Sequence, residues 1–321
     1  MSTGSTREVK AQSGVCTFLL TEFAFREMSL PMAKWAWWHS YTGPDDYRIR
    51  ELLRAIWDLH SMYGDAQPWL WRGQANSAFL LEPGMHTRIK KGGKDLDDPT
   101  VSTNTDALIA SARIACLDMH EGTKLPDMAL MASLQHHGAA TPLLDVSLDP
   151  MVALYMAVVS PSVDDQKKDG VLFAIKKPKQ SVVAFDSRRF ATIYGGLAPD
   201  DVIFYSAPDV SERLRIQRGH FLLGKVSRAD DRVTIPLTLD SARPLANSWI
   251  WKRLNARRRK GMPPSATTDV AVFRVTKDFK EAIQAWLEQR SGLTRDFVYP
   301  TTWHQPHLER FAASHGRTAS L

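Results

Sequence analysis

Gln135-His136-His137-Gly138-Ala139-Ala140-Thr141-Pro142-Leu143-Leu144-Asp145-Val146-Ser147-Leu148-Asp149-Pro150 is the stretch on which the fold turns. Just upstream, Met128, Met131 and Leu134 share one face of a helix expected over 127–137, and Gly138 supplies a left-handed stop for it. The run 143–146 reads as a strand. Asp149 before Pro150 marks the start of another helix, because an Asp side chain caps free amides and Pro fits a first turn without losing a needed donor. Residues 151–159 are apolar on every side, so that helix is expected to be buried. Asp145 and Ser147 leave the strand at alternate positions and therefore share a face, directly before a helix amino terminus that attracts anions.

Outward from this stretch, Ile49, Leu52, Leu53, Ile56, Trp57 and His60 recur at three and four residues, predicting an amphipathic helix from Asp45 or Asp46 that closes near Gly64 and Pro68. Residues 68–74 read as a short buried strand ending in Trp71-Arg72-Gly73-Gln74. The polar run 90–105 reads as an exposed loop, and 107–120 as a helix. Strands are expected at 171–175, 181–185, 202–206, 232–239 and 269–275, with a helix at 277–289 and a short one in the tail from Thr302. Residues 212–221 begin as a polar and apolar alternation and turn at Gly219, suggesting one more strand, either lining a site or kept soluble at a sheet edge by charge. Helices lead and strands follow, which favours an α+β fold with a mixed or antiparallel β core over regular βαβ winding. Three parts are expected: a Trp-rich extension at 1–44, the main domain at 45–300 and a tail at 301–321.

At 321 residues, 44% hydrophobic and 24% charged, the chain can bury a large core and is not of disordered composition. Cys16 and Cys116 form neither a metal-binding spacing nor a disulfide framework, so a reducing cytoplasm is expected. The apolar run 15–20 is soon followed by Glu22, Arg26 and Glu27, which predicts neither signal peptide nor membrane span. A net charge of +6 favours anionic partners, with Lys252, Arg253, Arg257, Arg258, Arg259 and Lys260 as the densest cluster; such a run also serves simply as a solvated loop.

Arg72, placed where an apolar strand gives way to glycine, suits a phosphate or carboxylate bound in bidentate fashion, with Gly73 admitting a ligand close to the backbone. The competing reading pairs Arg72 with a core carboxylate such as Asp145. Of His136 and His137, helical spacing lets at most one face the same cavity as Gln135, as proton carrier or hydrogen-bond partner; helix-end stabilisation is the plain alternative. No metal-ligand spacing is present, and nothing around Ser147 forms a nucleophile elbow.

The blocks 71–74, 81–88, 134–157 and 213–221, with a weaker echo at 292–300, resemble the FRG domain. Trp71 replaces its Phe or Tyr, Pro142 stands where an Arg is common, and 297–300 lack its Phe-Pro-Asp-Leu ending. More distantly, a strand ending in Arg-Gly, a strand ending in Ser before an apolar helix and a later strand carrying Glu resemble the Arg-Ser-Glu layout and split sheet of ADP-ribosyltransferases. That resemblance implies NAD as substrate without a metal, Arg72, Gly73, Gln74, Gln135, Thr141, Asp145 and Ser147 as NAD-binding residues, and Glu212, Gln217 and His136 as catalytic ones. It implies a toxin or phage-defence effector modifying a macromolecule, nucleic acid foremost and protein second, held in check by an antitoxin or chaperone. A non-catalytic nucleotide- or partner-binding module and an NAD-independent ribonuclease using His136 or His137 as general base stand as the alternatives.

Overall fold

The computed structural model describes residues 45–61, 69–160, 162–228, 232–237, 270–300 and 305–319. The Trp-rich segment before Asp45 and the basic cluster from Lys252 to Lys260 lie outside them. The fold is mixed α+β. A seven-stranded sheet runs in the order β6-β7-β8-β4-β1-β5-β9, built from β1 (Trp69–Gln74), β4 (Leu144–Ser147), β5 (Gly170–Lys176), β6 (Ser181–Val182), β7 (Val202–Tyr205), β8 (Gly219–Gly224) and β9 (Val270–Val275). The β6–β7 pairing is parallel and the rest are antiparallel. A separate hairpin joins β2 (Met119–His120) to β3 (Thr123–Lys124), its turn formed by Glu121 and Gly122, both at positive φ.

Two groups of helices share one face of the sheet. Over β1, β5 and β9, Trp69, Trp71, Leu172, Ala174 and Phe273 pack against α1 (Asp45–Ser61), α5 (Pro150–Val158) and α9 (Lys277–Ser291). Over β7 and β8, Tyr205, Phe221 and Leu223 pack against α2 (Gly84–Lys91), α3 (Asp98–Ile114), α4 (Asp127–His136), α7 (Phe190–Gly195) and α11 (Pro306–Ser314). Each large side chain removed from water in these clusters contributes roughly 1.5–3 kcal/mol. The opposite face, carrying Leu70, Leu144, Val146, Val171, Phe173 and Leu222, is covered by Leu81, Val233, Ile235 and Leu237. Strand β4 runs along the boundary between the two helix groups.

Two devices seat this arrangement. The Asp149 side chain accepts from the Met151 amide at 2.8 Å and the Val152 amide at 3.4 Å, so α5 starts where the Asp-Pro pair predicts. That helix then lies unusually close to β1: a Cβ on Gly73 would fall 1.8 Å from the Ala153 carbonyl oxygen. Gly73 therefore serves close helix–sheet packing, and the expectation that it admits a ligand to the backbone is corrected.

Other sequence expectations shift for local reasons. Helix α3 begins inside the supposed loop 90–105, because Asp97 caps the Thr100 amide at 2.8 Å and a proline follows in the first turn. It ends at Ile114 rather than at residue 120, with Cys116 at positive φ turning the chain. Helix α2 was not anticipated. The strand expected over 181–185 stops at Val182, and the described part of 232–239 makes only one bridge, Leu81 to Val233. The strand expected over 212–221 is a one-turn helix, α8 (Glu212–Ile216), followed by β8: the Ser211 Oγ accepts from the Leu214 amide at 3.1 Å, and that cap outweighs the period-two pattern. Two further short helices, α6 (Val163–Gln166) and α10 (Arg295–Val298), complete the described elements.

Candidate functional site

Strands β1 and β4 share a single residue pair, Trp71 with Ser147. Beyond it a side chain rather than the β1 backbone meets β4: Arg72 Nη1 donates to the Asp145 carbonyl oxygen at 2.9 Å and to its carboxylate at 3.5 Å. The Arg72 side chain is 11% exposed and that of Asp145 46%, so the cation is held inside while its partner reaches solvent. Burial pushes the Arg72 pKa down, Asp145 opposes that shift, and the nearby charge of Arg317 adds to it.

Gln135 continues the network. Its Nε2 donates to the second carboxylate oxygen of Asp145 and its Oε1 accepts from Thr141 Oγ1, which also receives the Leu143 amide at 3.2 Å. The helix end that presents Gln135 is closed by Gly138 at φ 104°, with the Ala139 amide donating to the Leu134 carbonyl at 3.0 Å and the Gly138 amide to the Gln135 carbonyl at 2.9 Å. This is the glycine-ended cap that the sequence predicts.

Asp145 and Gln135 open into a pocket of about 290 Å³ shared with His136, His137, Arg213 and Arg317. His136 packs edge-on against Phe221 at 6.0 Å, and its Nδ1 is buried without a hydrogen-bond partner. Burial pushes the His136 pKa down to about 4, so the imidazole is neutral at neutral pH, and burial lowers that of His137 as well. The Arg213 guanidinium lies 5.0 Å from the centre of the Tyr299 ring, and its Nη1 donates to the His136 carbonyl at 3.5 Å.

The remaining candidates stand apart from this opening. Ser147 is buried; its Oγ donates to the Gln217 carbonyl at 2.7 Å and accepts from the Asp149 amide at 2.9 Å. Gln217, also buried, ends α8, and its Nε2 donates to the Val298 carbonyl at 2.9 Å. Gln74 is buried and donates to the Leu80 carbonyl at 3.1 Å. Glu212 sits in the first turn of α8 rather than on a strand, 3.9 Å from Arg215, and does not line the pocket. Among the described residues no cluster of three or more His, Cys, Asp or Glu is placed to hold a metal ion, and no helix is long and apolar enough to cross a membrane.

Residues 67–166 match the FRG domain family. The chain carries an FRG domain. No curated protein and no solved structure matches the chain. The FRG match runs through α6 and contains Arg72, Gln135, Thr141 and Asp145, the whole of the hydrogen-bonded network. Arg213 and Arg317 reach the FRG domain's pocket from outside the matched residues, and Tyr299, also outside them, lies against Arg213. Arg213 belongs to a block that the sequence offers as site-lining, but Arg213 itself is not among the expected site residues. Arg317 was missed because it lies in the tail, where nothing in the local pattern reports its place beside Gly84 on the pocket.

Proposed function

We propose that the pocket beside Arg72 binds NAD and that the FRG domain transfers its ADP-ribose to a macromolecule. The observation that carries this reading is convergence: Arg72 on β1 bonds to Asp145 on β4, and Asp145 lines, with Gln135 and His136 of α4, one solvent-open pocket whose guanidinium groups, Arg213 and Arg317, outnumber its carboxylates. In the reaction the bond between nicotinamide nitrogen and ribose breaks, nicotinamide leaves with the electron pair, and the acceptor attacks the oxocarbenium-like centre and loses its proton. That cation needs a nearby negative charge in a partly water-excluded site. Asp145, a carboxylate oriented from two sides, is the group that lines the pocket, whereas Glu212 is outside it; we therefore move this role from Glu212 to Asp145. A neutral His136 suits hydrogen bonding to a ribose hydroxyl better than general-base work, which calls for a pKa near the working pH. Nucleic acid is the acceptor we favour, on the charge of residues 252–260.

The test is nicotinamide release from NAD by wild type, Arg72→Ala and Asp145→Asn in the presence of cell lysate. Release by the wild type, reduced about 100-fold or more in both variants, is expected for loss of a charge that acts on the transition state. Equal background release from all three overturns the proposal.

A second reading is favoured by the closed bonding of Ser147, Gln217 and Thr141: a non-catalytic module in which the Arg72 network ties the fold together. On that reading Arg72→Ala lowers the melting temperature strongly, and NAD neither shifts it nor is consumed.

A further inference from the structure

Arg213 and Arg317 are left without counter-charges by the network just described. Asp145, the pocket's carboxylate, already receives Arg72 and Gln135. Arg213 touches a ring face and a carbonyl, forms no ion pair among the described residues, and its Nε is buried without a partner. Arg317 is exposed and makes neither hydrogen bond nor ion pair among them. Two unneutralised guanidinium groups on one pocket raise each other's electrostatic cost unless an anion enters.

The segment that delivers Arg317 is held in place. Leu308 and Ala312 of α11 are buried in the core, and Phe311 stacks on His315 at 4.2 Å. The His315 carbonyl accepts from the Ala140 amide at 2.8 Å and from Arg88 Nη1 at 3.4 Å. Gly84 leaves the space that the Arg317 side chain crosses: a Cβ there would meet Arg317 Nε at 3.1 Å. Gly84, and Ala139 next to Ala140, line the pocket.

We propose that Arg213 and Arg317 form a clamp for the phosphate groups of the ligand, so that the C-terminal segment is part of the binding site. Two guanidinium forks suit a pyrophosphate, whose oxygens can accept in bidentate fashion from each. The inference rests on the pocket being a ligand site, and it holds whether or not NAD is cleaved there.

The experiment is calorimetric titration of the full chain with ADP, inorganic pyrophosphate and adenosine, using wild type, Arg317→Ala, Arg317→Lys and Arg213→Ala. ADP and pyrophosphate are expected to bind the wild type, and Arg317→Ala and Arg213→Ala to weaken both about tenfold, the usual cost of one charged hydrogen bond. Arg317→Lys should recover part of the loss, and adenosine should be indifferent to residue 317. Arg317 is exposed, so loss of binding with an unchanged melting temperature separates the clamp from a folding defect. Wild-type affinity in Arg317→Ala, or no binding of ADP or pyrophosphate to the wild type at millimolar concentration, overturns the clamp. Arg317-dependent ADP binding without nicotinamide release would leave the clamp standing and remove the NAD chemistry. Normal nicotinamide release by Arg317→Ala with unchanged KM would do the reverse.

Discussion

Asp145 and Ser147 stand two residues apart on the same face of β4 and meet different surroundings. Asp145 lies opposite Phe221, takes hydrogen bonds from Arg72 and Gln135, and keeps nearly half of its side chain in solvent. Ser147 lies opposite Gly219 and is sealed between the Gln217 carbonyl and the Asp149 amide. One polar side chain opens a pocket; the other joins α8 to the start of α5. Two polar residues on alternate strand positions look equivalent in a sequence, and what separates them is what folds over each.

The severest way to disturb that contrast is to push α5 off the sheet. Gly73→Ala puts a methyl group inside the Ala153 carbonyl, a backbone atom that cannot step aside, and Gly170→Ala does the same 2.0 Å from the Ala157 carbonyl. Each is expected to cost about 4 kcal/mol or more, or to prevent folding, by chemical denaturation. A Gly73→Ala protein of wild-type stability would show that α5 does not define the closed half.

Next in size is Asp145→Ala, which leaves the Arg72 guanidinium nearly buried beside a lone carbonyl. Since Asp145 is itself half exposed, the expected loss is about 2 kcal/mol, below the range for fully buried pairs. Nicotinamide release should fall far more than stability does. Comparable losses in both would make the open half structural as well.

Ser147→Ala should be milder and of the opposite character. It removes one hydroxyl that serves a carbonyl and an amide, at an expected cost of about 1–2 kcal/mol. ADP affinity should stay within twofold of wild type, because Ser147 does not line the pocket. A large loss of affinity at unchanged stability would erase the distinction between the two positions.

How much of this could be read in advance follows the range of the interaction. The Gly138 stop, the Asp149-Pro150 start and the Arg72–Asp145 pairing were legible, the first two because their partners lie within a few residues and the third because a guanidinium on an apolar strand demands an acceptor when it is buried. The α+β class was legible from element order. Leu214 and Ile216 alternate with arginines as a strand would, but the Ser211 cap four positions before Arg215 decides in favour of α8, and α3 hides the same kind of cap at Asp97. Gly73 was marked as special but assigned to the wrong neighbour, since glycine reports a close approach without naming what approaches. Arg317 carries no local signal: its place depends on a tail 170 residues beyond β4 docking beside Gly84.

The smallest effect per group is the most diffuse, and it reaches both halves of β4. His136 flanks the open half; His220, opposite Val146, and His86 lie on the covered side. Burial is the first cause in each, pushing His86 down to about 3 and the other two to about 4. In the unfolded chain each titrates near 6.5, so between that pH and the folded value the unfolded state binds more protons. Stability is therefore full above about pH 6.5 and declines as pH falls, by roughly 1.4 kcal/mol per pH unit for each histidine that stays neutral while folded. Denaturant melts at pH 7, 6 and 5 measure the slope. A ligand phosphate in the pocket would favour a protonated His136, so saturating ADP should flatten the contribution of that histidine and leave those of His86 and His220 unchanged. His136→Gln isolates it: if the slope of the free protein is the same with Gln at 136, the open half does not take part in the acid transition, and the burial that distinguishes it from the solvent around Asp145 has been misjudged.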